Sequence, residues 1–382
     1  MTLQLAYVHL IHRHGERTPL LFGPHDRTNW NLCHRTSKIS YVAPNKPHTL
    51  TDRIKGLLSY FQRKESPPVE FNLTLHSGQE FNCAPGQLTD KGRETLTKLG
   101  AWFRRRYVEK EGLISPVFKK EEFQLRSTNF QRTLESLQSL MQGLFPTHPA
   151  QMDVRVNDIT ADSLGISRHC PRLKTLTNQS QAALKKEFSP KADLLRHYFS
   201  KNFSPSLAAL SPYAIYDLIA SNRAHGFSQF RQVPRHILST LEEYSLRLWF
   251  GHLNTQEGIA LNTGALLNEI SNHLVHKAAD PNLPLKASIF SAHDVTVYPL
   301  LKALGSDPKA WPKFGANVIF ELLKDKTSQE HYVLMRYNGQ EVPIGLCKRE
   351  KKGRSEVCPL EEFVRICNSF YFSDLSAECQ RE

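Results

Sequence analysis

An α/β fold, with a mixed and mainly parallel sheet flanked by helices and a helical cap subdomain, is predicted by three features of this 382-residue chain. Strand and helix patterns alternate at both ends, polar groups interrupt the pattern where strands stop, and a middle block is almost wholly helical. The length suits one domain, 1–382, with a core over 1–149 and 254–382, a mainly helical cap over 150–253 and a loop-rich insertion over 20–85. Hydrophobic residues at 40% and charged residues at 23% are ordinary for a folded protein and argue against disorder.

The apolar run 3–11 reads as a core strand that ends at 11–13. Residues 19–85 are rich in Pro, Asn, His and Ser without a sustained period, hence the insertion. A helix follows, with Thr89 as N-cap, Asp90 in the first turn, and Leu96, Leu99, Phe103 and Tyr107 at helical spacing; Arg104, Arg105 and Arg106 read as its solvated face. A strand at 123–126 leads through Ser127, Thr128 and Asn129, which are cap-type residues, into a helix buried along Leu134, Leu137, Leu140, Met141 and Leu144 and ended by Pro146. Arg132 then falls in the first turn, where free N–H groups and the helix dipole already favour an anion. Helices are predicted at 181–199, 212–221, 234–250 and 263–276. The core resumes with a strand at 287–292 that stops on His293-Asp294, a helix at 295–304 closed by Gly305, and strands around Val318, Phe320 and Leu322, at 332–337 and at 342–344, with an Asn338-Gly339 turn.

Arg13-His14-Gly15-Glu16-Arg17 follows the first strand directly. An arginine fork matches phosphate oxygens two at a time, so two arginines around one imidazole describe an anion pocket with a nucleophile in it. If Arg13, His14, Arg17, Arg132, His293 and Asp294 meet at the carboxyl edge of the sheet, three fixed cations, two imidazoles and one carboxylate suit phosphoryl transfer. The arginines would stabilise charge, His14 would attack while its other nitrogen donates to an acceptor, and Gly15 would allow close backbone approach. Asp294, expected to be held partly protonated, would protonate the leaving oxygen, with His293 as a phosphate donor. Arg126 reads as structural, and His12 as a core or supporting residue.

The formal charge of +12 draws anions, whether a phosphorylated substrate, an acidic membrane surface, nucleic acid or a sulfated glycan, and does not choose among them. No apolar run approaches the roughly 20 residues of a membrane span, and no signal peptide is visible. The seven cysteines form no C-x-x-C pair, which disfavours structural zinc and leaves reduced thiols and disulfides both open. Sequons at Asn72, Asn178 and Asn202 suit secretion but are about as many as chance provides.

Arg13-His14-Gly15-Glu16-Arg17-Thr18-Pro19, Arg126-Ser127-Thr128 with Arg132-Thr133, and Ser291-Ala292-His293-Asp294 together resemble the histidine acid phosphatases of the histidine phosphatase superfamily. The resemblance extends to Gly86-Gln87-Leu88-Thr89, the stretch from Gly264 to His273 and Cys358-Pro359-Leu360-Glu361, and thins out in the insertion and the cap. It implies a phosphoglycerate-mutase-like core, a cap that selects substrate, and a metal-independent phosphomonoesterase with a phosphohistidine intermediate and no cofactor. Carried over, Arg13, Arg17, Arg132 and His293 bind phosphate, His14 attacks and Asp294 donates the proton. The resemblance also implies Cys170–Cys379 and Cys347–Cys358 bridges, with Cys33 and Cys83 as a candidate third pair and Cys367 free. Three bridges imply an oxidising lumen in the secretory pathway or outside the cell, with mitochondrial and cytoplasmic locations left open.

Residues 126–146 resemble members acting on a lysophospholipid, whereas 291–379 resemble members acting on a phosphosugar of a glycan linker. The expected partner is thus a small-molecule, lipid or glycan phosphomonoester and not nucleic acid, with contact to an anionic surface, the exact substrate and the oligomeric state left open. Two rival readings stand beside this one. A metallohydrolase would use His12, His14, His293 and Asp294 as ligands, against the like charge of Arg13 and Arg17. A non-catalytic polyanion-binding module would use Arg104 to Arg106 and the loop 348–354.

Overall fold

A computed structural model of the chain describes residues 3–22, 28–34, 82–147, 151–158, 162–165, 169–306, 308–348, 350–352 and 355–381. Most of the predicted insertion, with the Asn72 sequon, lies outside the described residues, as do 349, 353 and 354 of the basic loop.

The run of apolar residues near the start forms β1 (Leu3–Arg13), buried from Tyr7 onward. A strand flanked by neighbours on both edges and helices on both faces has no solvated side, which is why its pattern is continuous and not alternating. β1 lies in a mixed sheet with β2 (Phe123–Ser127), β3 (Arg155–Val156), β4 (Ala287–Ala292), β5 (Asn317–Asp325), β6 (His331–Tyr337), β7 (Gln340–Val342), β8 (Glu350–Lys352) and β9 (Ser355–Pro359). Among the described residues the order is β3-β2-β4-β1-β5-β6-β9-β8, with β7 paired to β6. Strands β3, β2, β4 and β1 run parallel, and β5 onward continue antiparallel. The α/β architecture is as predicted.

Helices α1 (Asp90–Phe103) and α2 (Gln131–Leu144) cover the sheet face that carries Val8 and Leu10. Thr89 caps α1, accepting from Gly92 N at 3.3 Å. After Phe103 the backbone widens into a π-helical turn, Arg104–Lys110, which keeps Tyr107 buried but swings Arg106 inward. Arg106, Tyr107 and Arg336 all bond the buried Glu321, at 2.9, 2.6 and 2.9 Å. The three arginines therefore do not form the predicted solvated face; only Arg105 is exposed, because the π turn changes the phase at which successive side chains emerge. For α2 the N-cap is Phe130 and not a residue of Ser127–Asn129, since Ser127 still belongs to β2.

The middle of the chain forms α3 (Pro171–Asn202), α4 (Pro205–Ala208), α5 (Pro212–Ala224) and α6 (Arg235–Phe250). They share an apolar cluster of their own that includes Leu184, Phe188, Phe199, Ile215, Leu218 and Leu241. α3 begins ten residues earlier than 181 because its polar first turns are held from outside: Pro171 starts it, Cys170 is bridged, and Arg172 pairs with Glu257 at 2.6 Å. Asn178 and Asn202 are both exposed on α3. The opposite face of the sheet, with Tyr7, Ile11 and Phe290, packs on α7 (Gln256–Ala279), α8 (Asp294–Ala303) and α9 (Leu360–Asn368). The last helix is α10 (Leu375–Cys379). No helix among the described residues is long and apolar enough to cross a membrane.

The bridges are Cys33–Cys83, Cys170–Cys379 and Cys347–Cys358, with Cα–Cα distances of 5.4, 4.6 and 5.9 Å, and they suit an oxidising compartment. Cys367 is free and buried, and burial pushes its thiol up to about 12, which disfavours the thiolate. Cys170–Cys379 joins the start of α3 to α10 across 209 residues. Its replacement by two serines is expected to cost about 2–5 kcal/mol of stability. An unchanged denaturant midpoint would show that the bridge constrains nothing.

Candidate active site

Register explains why distant residues meet. Arg13 at the end of β1 stands opposite Ala292 at the end of β4, and Ser291 stands opposite Ser127 at the end of β2. The next residues, His14, His293 and Thr128, thus leave three parallel strands at one edge. His14 N donates to Ala292 O at 3.0 Å, and Thr128 N to Ser291 O at 3.2 Å. The imidazoles of His14 and His293 are 5.6 Å apart, edge to face. Arg13 lies over the Phe314 ring at 4.1 Å, Arg17 over the same ring at 5.7 Å, and Arg132 over Phe130 at 4.5 Å. All six residues singled out in the sequence are therefore neighbours, and Arg13, His14, Arg17 and His293 are at most 6% exposed.

Gly15 has the requirement foreseen for it. A Cβ there would stand 2.3 Å from Gly92 O, and one on Gly92 would stand 2.2 Å from Glu16 O, so two glycines let the start of α1 press onto the motif. Gly15 N is held by Ser136 Oγ at 3.1 Å. From the other side α5 docks on the same loop: Asp217 grips Arg17, Asn222 Oδ1 accepts from Thr28 Oγ1 at 2.8 Å, and His225 Nε2 is 2.8 Å from Thr89 Oγ1.

The His14 ring is held at one nitrogen. Its Nδ1–H donates to Gly15 O at 2.9 Å, which leaves Nε2 as the unprotonated nitrogen of the neutral ring. Burial, then Arg13, Arg132, Arg17 and His293, push its pKa well below the usual histidine value, which favours the neutral ring. Burial and Arg132 likewise push His293 down to about 3. Its Nε2 is 2.9 Å from Thr128 Oγ1, which in turn meets Thr133 Oγ1 at 2.9 Å.

Asp294 differs from expectation. Burial favours its protonated form, but Arg13 at 2.8 Å, Trp311 Nε1 at 2.9 Å, Arg17 and His293 together hold its carboxyl below the usual aspartate range. Val295 N donates to its other oxygen at 2.9 Å. Three donors satisfy the charged form, which favours the carboxylate over the partly protonated acid that the sequence suggested. Burial and Arg17 lower Arg132 to about 10, and Arg132 makes no ion pair among the described residues. Burial opposes the charge on Arg17, yet the Asp217 carboxylate more than restores it and raises its pKa.

The neutral rings make acid stability predictable. Burial lowers His12 and His252 to about 4 and His293 to about 3, against 6.5 unperturbed. A depressed histidine contributes its full stability above the unfolded value and loses it as pH falls towards the folded one, here from about 6.5 to about 3. The expected loss between about pH 7 and pH 5 is on the order of 1–2 kcal/mol per ring. Denaturant titrations at the two pH values measure it, and equal midpoints would contradict the burial argument.

His12 is fully buried with Nδ1 donating to Arg13 O at 3.0 Å, in keeping with a core role. Among the described residues no group of three or more His, Cys, Asp or Glu side chains is arranged to hold a metal ion, so the ligand set His12, His14, His293 and Asp294 is not assembled there. Arg126 is buried and bonds Asp162 at 2.5 Å, Ser163 Oγ at 2.9 Å and Glu269, joining β2 to the 162–163 turn and α7. Sequence reasoning missed Asp217, Trp311 and Phe314, and gave Thr128 no role beside His293. Asp217 had one signal, a carboxylate on the buried side of a helix between Ile215 and Leu218.

The family model described as histidine phosphatase superfamily (branch 2) matches residues 4–338. Lysophosphatidic acid phosphatase type 6 of Mus musculus is 26% identical over 97% of this chain and 86% of its own length. Lysosomal acid phosphatase of Homo sapiens is 28% identical over 85% and 79%. Among solved structures, the apo form of the Hafnia alvei phytase superposes with a TM-score of 0.67 at 14% identity, covering 100% of this chain and 99% of that one, which shows the shared fold. The matched residues contain both the Arg13-His14 motif and His293-Asp294, and this chain belongs to branch 2 of the histidine phosphatase superfamily.

Proposed function

We propose that this chain is an acid phosphatase that hydrolyses phosphate monoesters in two steps through a phosphohistidine on His14. The observation that supports this most is His14 itself: buried, neutral, tied through Nδ1 to Gly15 O, and surrounded by Arg13, Arg17 and Arg132. The ester phosphate binds between those guanidiniums, and His293 exchanges its contact with Thr128 for a phosphate oxygen. Nε2 attacks phosphorus as the bond to the alcohol oxygen breaks, and a proton from Asp294 goes to that oxygen. Water then attacks the phosphorus of the phosphohistidine, Asp294 takes the water proton, the P–Nε2 bond breaks with its electron pair returning to the ring, and inorganic phosphate leaves. No cofactor enters either step. The bound phosphate competes for Arg13 and so releases Asp294 to accept the proton it must deliver.

The helical block 150–253 acts as a substrate-selecting cap over the core, reaching the site through Asp217, with Tyr213 and Tyr216 each about 6 Å from Trp311. Leu20 and Leu21, exposed just after the motif, supply an apolar lip at its edge. With a lysophosphatidic acid phosphatase among the relatives, these features support an amphiphilic monoester as substrate, met in a secretory-pathway lumen. Rapid mixing with a radiolabelled aryl phosphate and an alkaline quench is expected to trap label on His14, in the presence of a chelator as in its absence. Parallel turnover assays on lysophosphatidate, phosphosugars, phosphotyrosine and inositol phosphates rank the alcohols, with lysophosphatidate expected first. A protein that turns over without ever carrying label sinks the mechanism.

A further inference from the structure

Asp217 enters the site from the middle of α5, and no step above uses it. Its two oxygens bind the terminal nitrogens of Arg17 at 2.7 and 3.3 Å, and one also accepts Leu20 N at 2.8 Å; the residue is 8% exposed. A buried ion pair is costly to desolvate and is weak support for stability on its own. This one also competes with substrate, because it occupies a fork that would otherwise face phosphate.

Its charge has a definite use. The charged and titratable groups around it are Arg17 after β1, Arg13 at the end of β1, Arg132 in the first turn of α2, Asp294 at the start of α8, and Tyr213 on α5 itself. With His14 and His293 neutral, three guanidiniums face two carboxylates, leaving one net positive charge. A phosphate dianion turns that into one net negative charge among largely buried groups, and a single proton restores balance. Asp294, adjacent to the incoming oxygens and bonded to the same Arg13, is the group placed to take it. Without Asp217 the dianion would already be balanced, and Asp294 would stay ionised, which is the wrong state for a proton donor. The helix starts at Gln131 and Asp294 add partial positive charge but supply no proton.

We propose that Asp217 is a positioning residue that holds Arg17 and, through its charge, couples the binding of a phosphate dianion to protonation of Asp294, thereby setting the alkaline edge of turnover. This rests on the phosphohistidine reading. The probe is sulfate, a dianion that carries no proton of its own near neutral pH, titrated calorimetrically in buffers of different ionisation enthalpy. The wild type is expected to take up close to one proton per sulfate bound. Asp217→Asn is expected to take up none, to bind sulfate about tenfold more tightly, and to move the alkaline limb of kcat down by about one pH unit. Asp217→Glu is expected to restore the uptake and the limb. A merely structural carboxylate would lower stability without moving either.

Sulfate binding by the wild type without proton uptake overturns the proposal, as does Asp217→Asn with unchanged uptake and an unchanged limb. The wild-type proton count decides even if that variant does not fold. Label on His14 without proton uptake removes this proposal alone, whereas an unlabelled protein removes the mechanism on which it rests.

Discussion

Replacing His14 with alanine is expected to lower kcat for an aryl phosphate by at least about 10⁴-fold. Among the described residues the other candidates at the site are engaged: His293 by Thr128, and Asp294 by Arg13, Trp311 and Val295. The same variant should keep its affinity for inorganic phosphate within a few-fold, because the three guanidiniums and their supports remain, with Arg13 also fixed by Pro312 O at 2.5 Å and Arg17 by Thr18 O at 2.9 Å. Steady-state turnover and equilibrium phosphate binding, measured on one preparation, separate chemistry from binding. Residual kcat within tenfold of the wild type removes His14 from its role. Intact turnover with salt-sensitive heparin binding would instead favour a surface polyanion contact beside an independent catalytic site.

Asp294→Asn has the next largest expected effect, about 10²- to 10⁴-fold in kcat for an alkyl phosphate such as lysophosphatidate. The amide keeps the size of the side chain and can still accept from Trp311 Nε1, so the fold should hold. It cannot give a proton to the leaving oxygen. An aryl phosphate, whose alcohol leaves readily without that proton, should lose far less, and the ratio of the two losses is the signature of a general acid. Removing the carboxylate also frees Arg13 from its partner, so inorganic phosphate should bind more tightly and inhibit more strongly. Equal losses for alkyl and aryl esters would show that Asp294 shapes the site without donating a proton.

Much of the site was legible because its residues follow recognisable local patterns. β1 and β4 are mainly apolar and buried, and the residues that follow them, His14 and His293, fall where parallel strands must end side by side. Arg132 is readable from the helix that Leu134, Leu137, Leu140, Met141 and Leu144 define, since stripe and strand together place it in a first turn. The same logic misplaced Arg106. A π turn is a single extra residue in the helical winding, and nothing in Arg104-Arg105-Arg106 announces it; the buried Glu321, 215 residues away, accepts the guanidinium. It also misjudged Asp294, because its ionisation depends on Arg13 and on Trp311 from an irregular stretch without periodicity.

By itself the sequence determined the α/β order of elements and the anion-binding inventory, with His14 as the candidate nucleophile, since strand runs, helix caps and motif spacing are set by residues a few positions apart. Only the tertiary structure decided the protonation of Asp294, the inward turn of Arg106 and the pairing of Asp217 with Arg17 across 200 residues. Those depend on which helix packs over which strand end, and on the loss of water there, and burial and charge at a buried site are properties of the assembled fold and not of any segment within it.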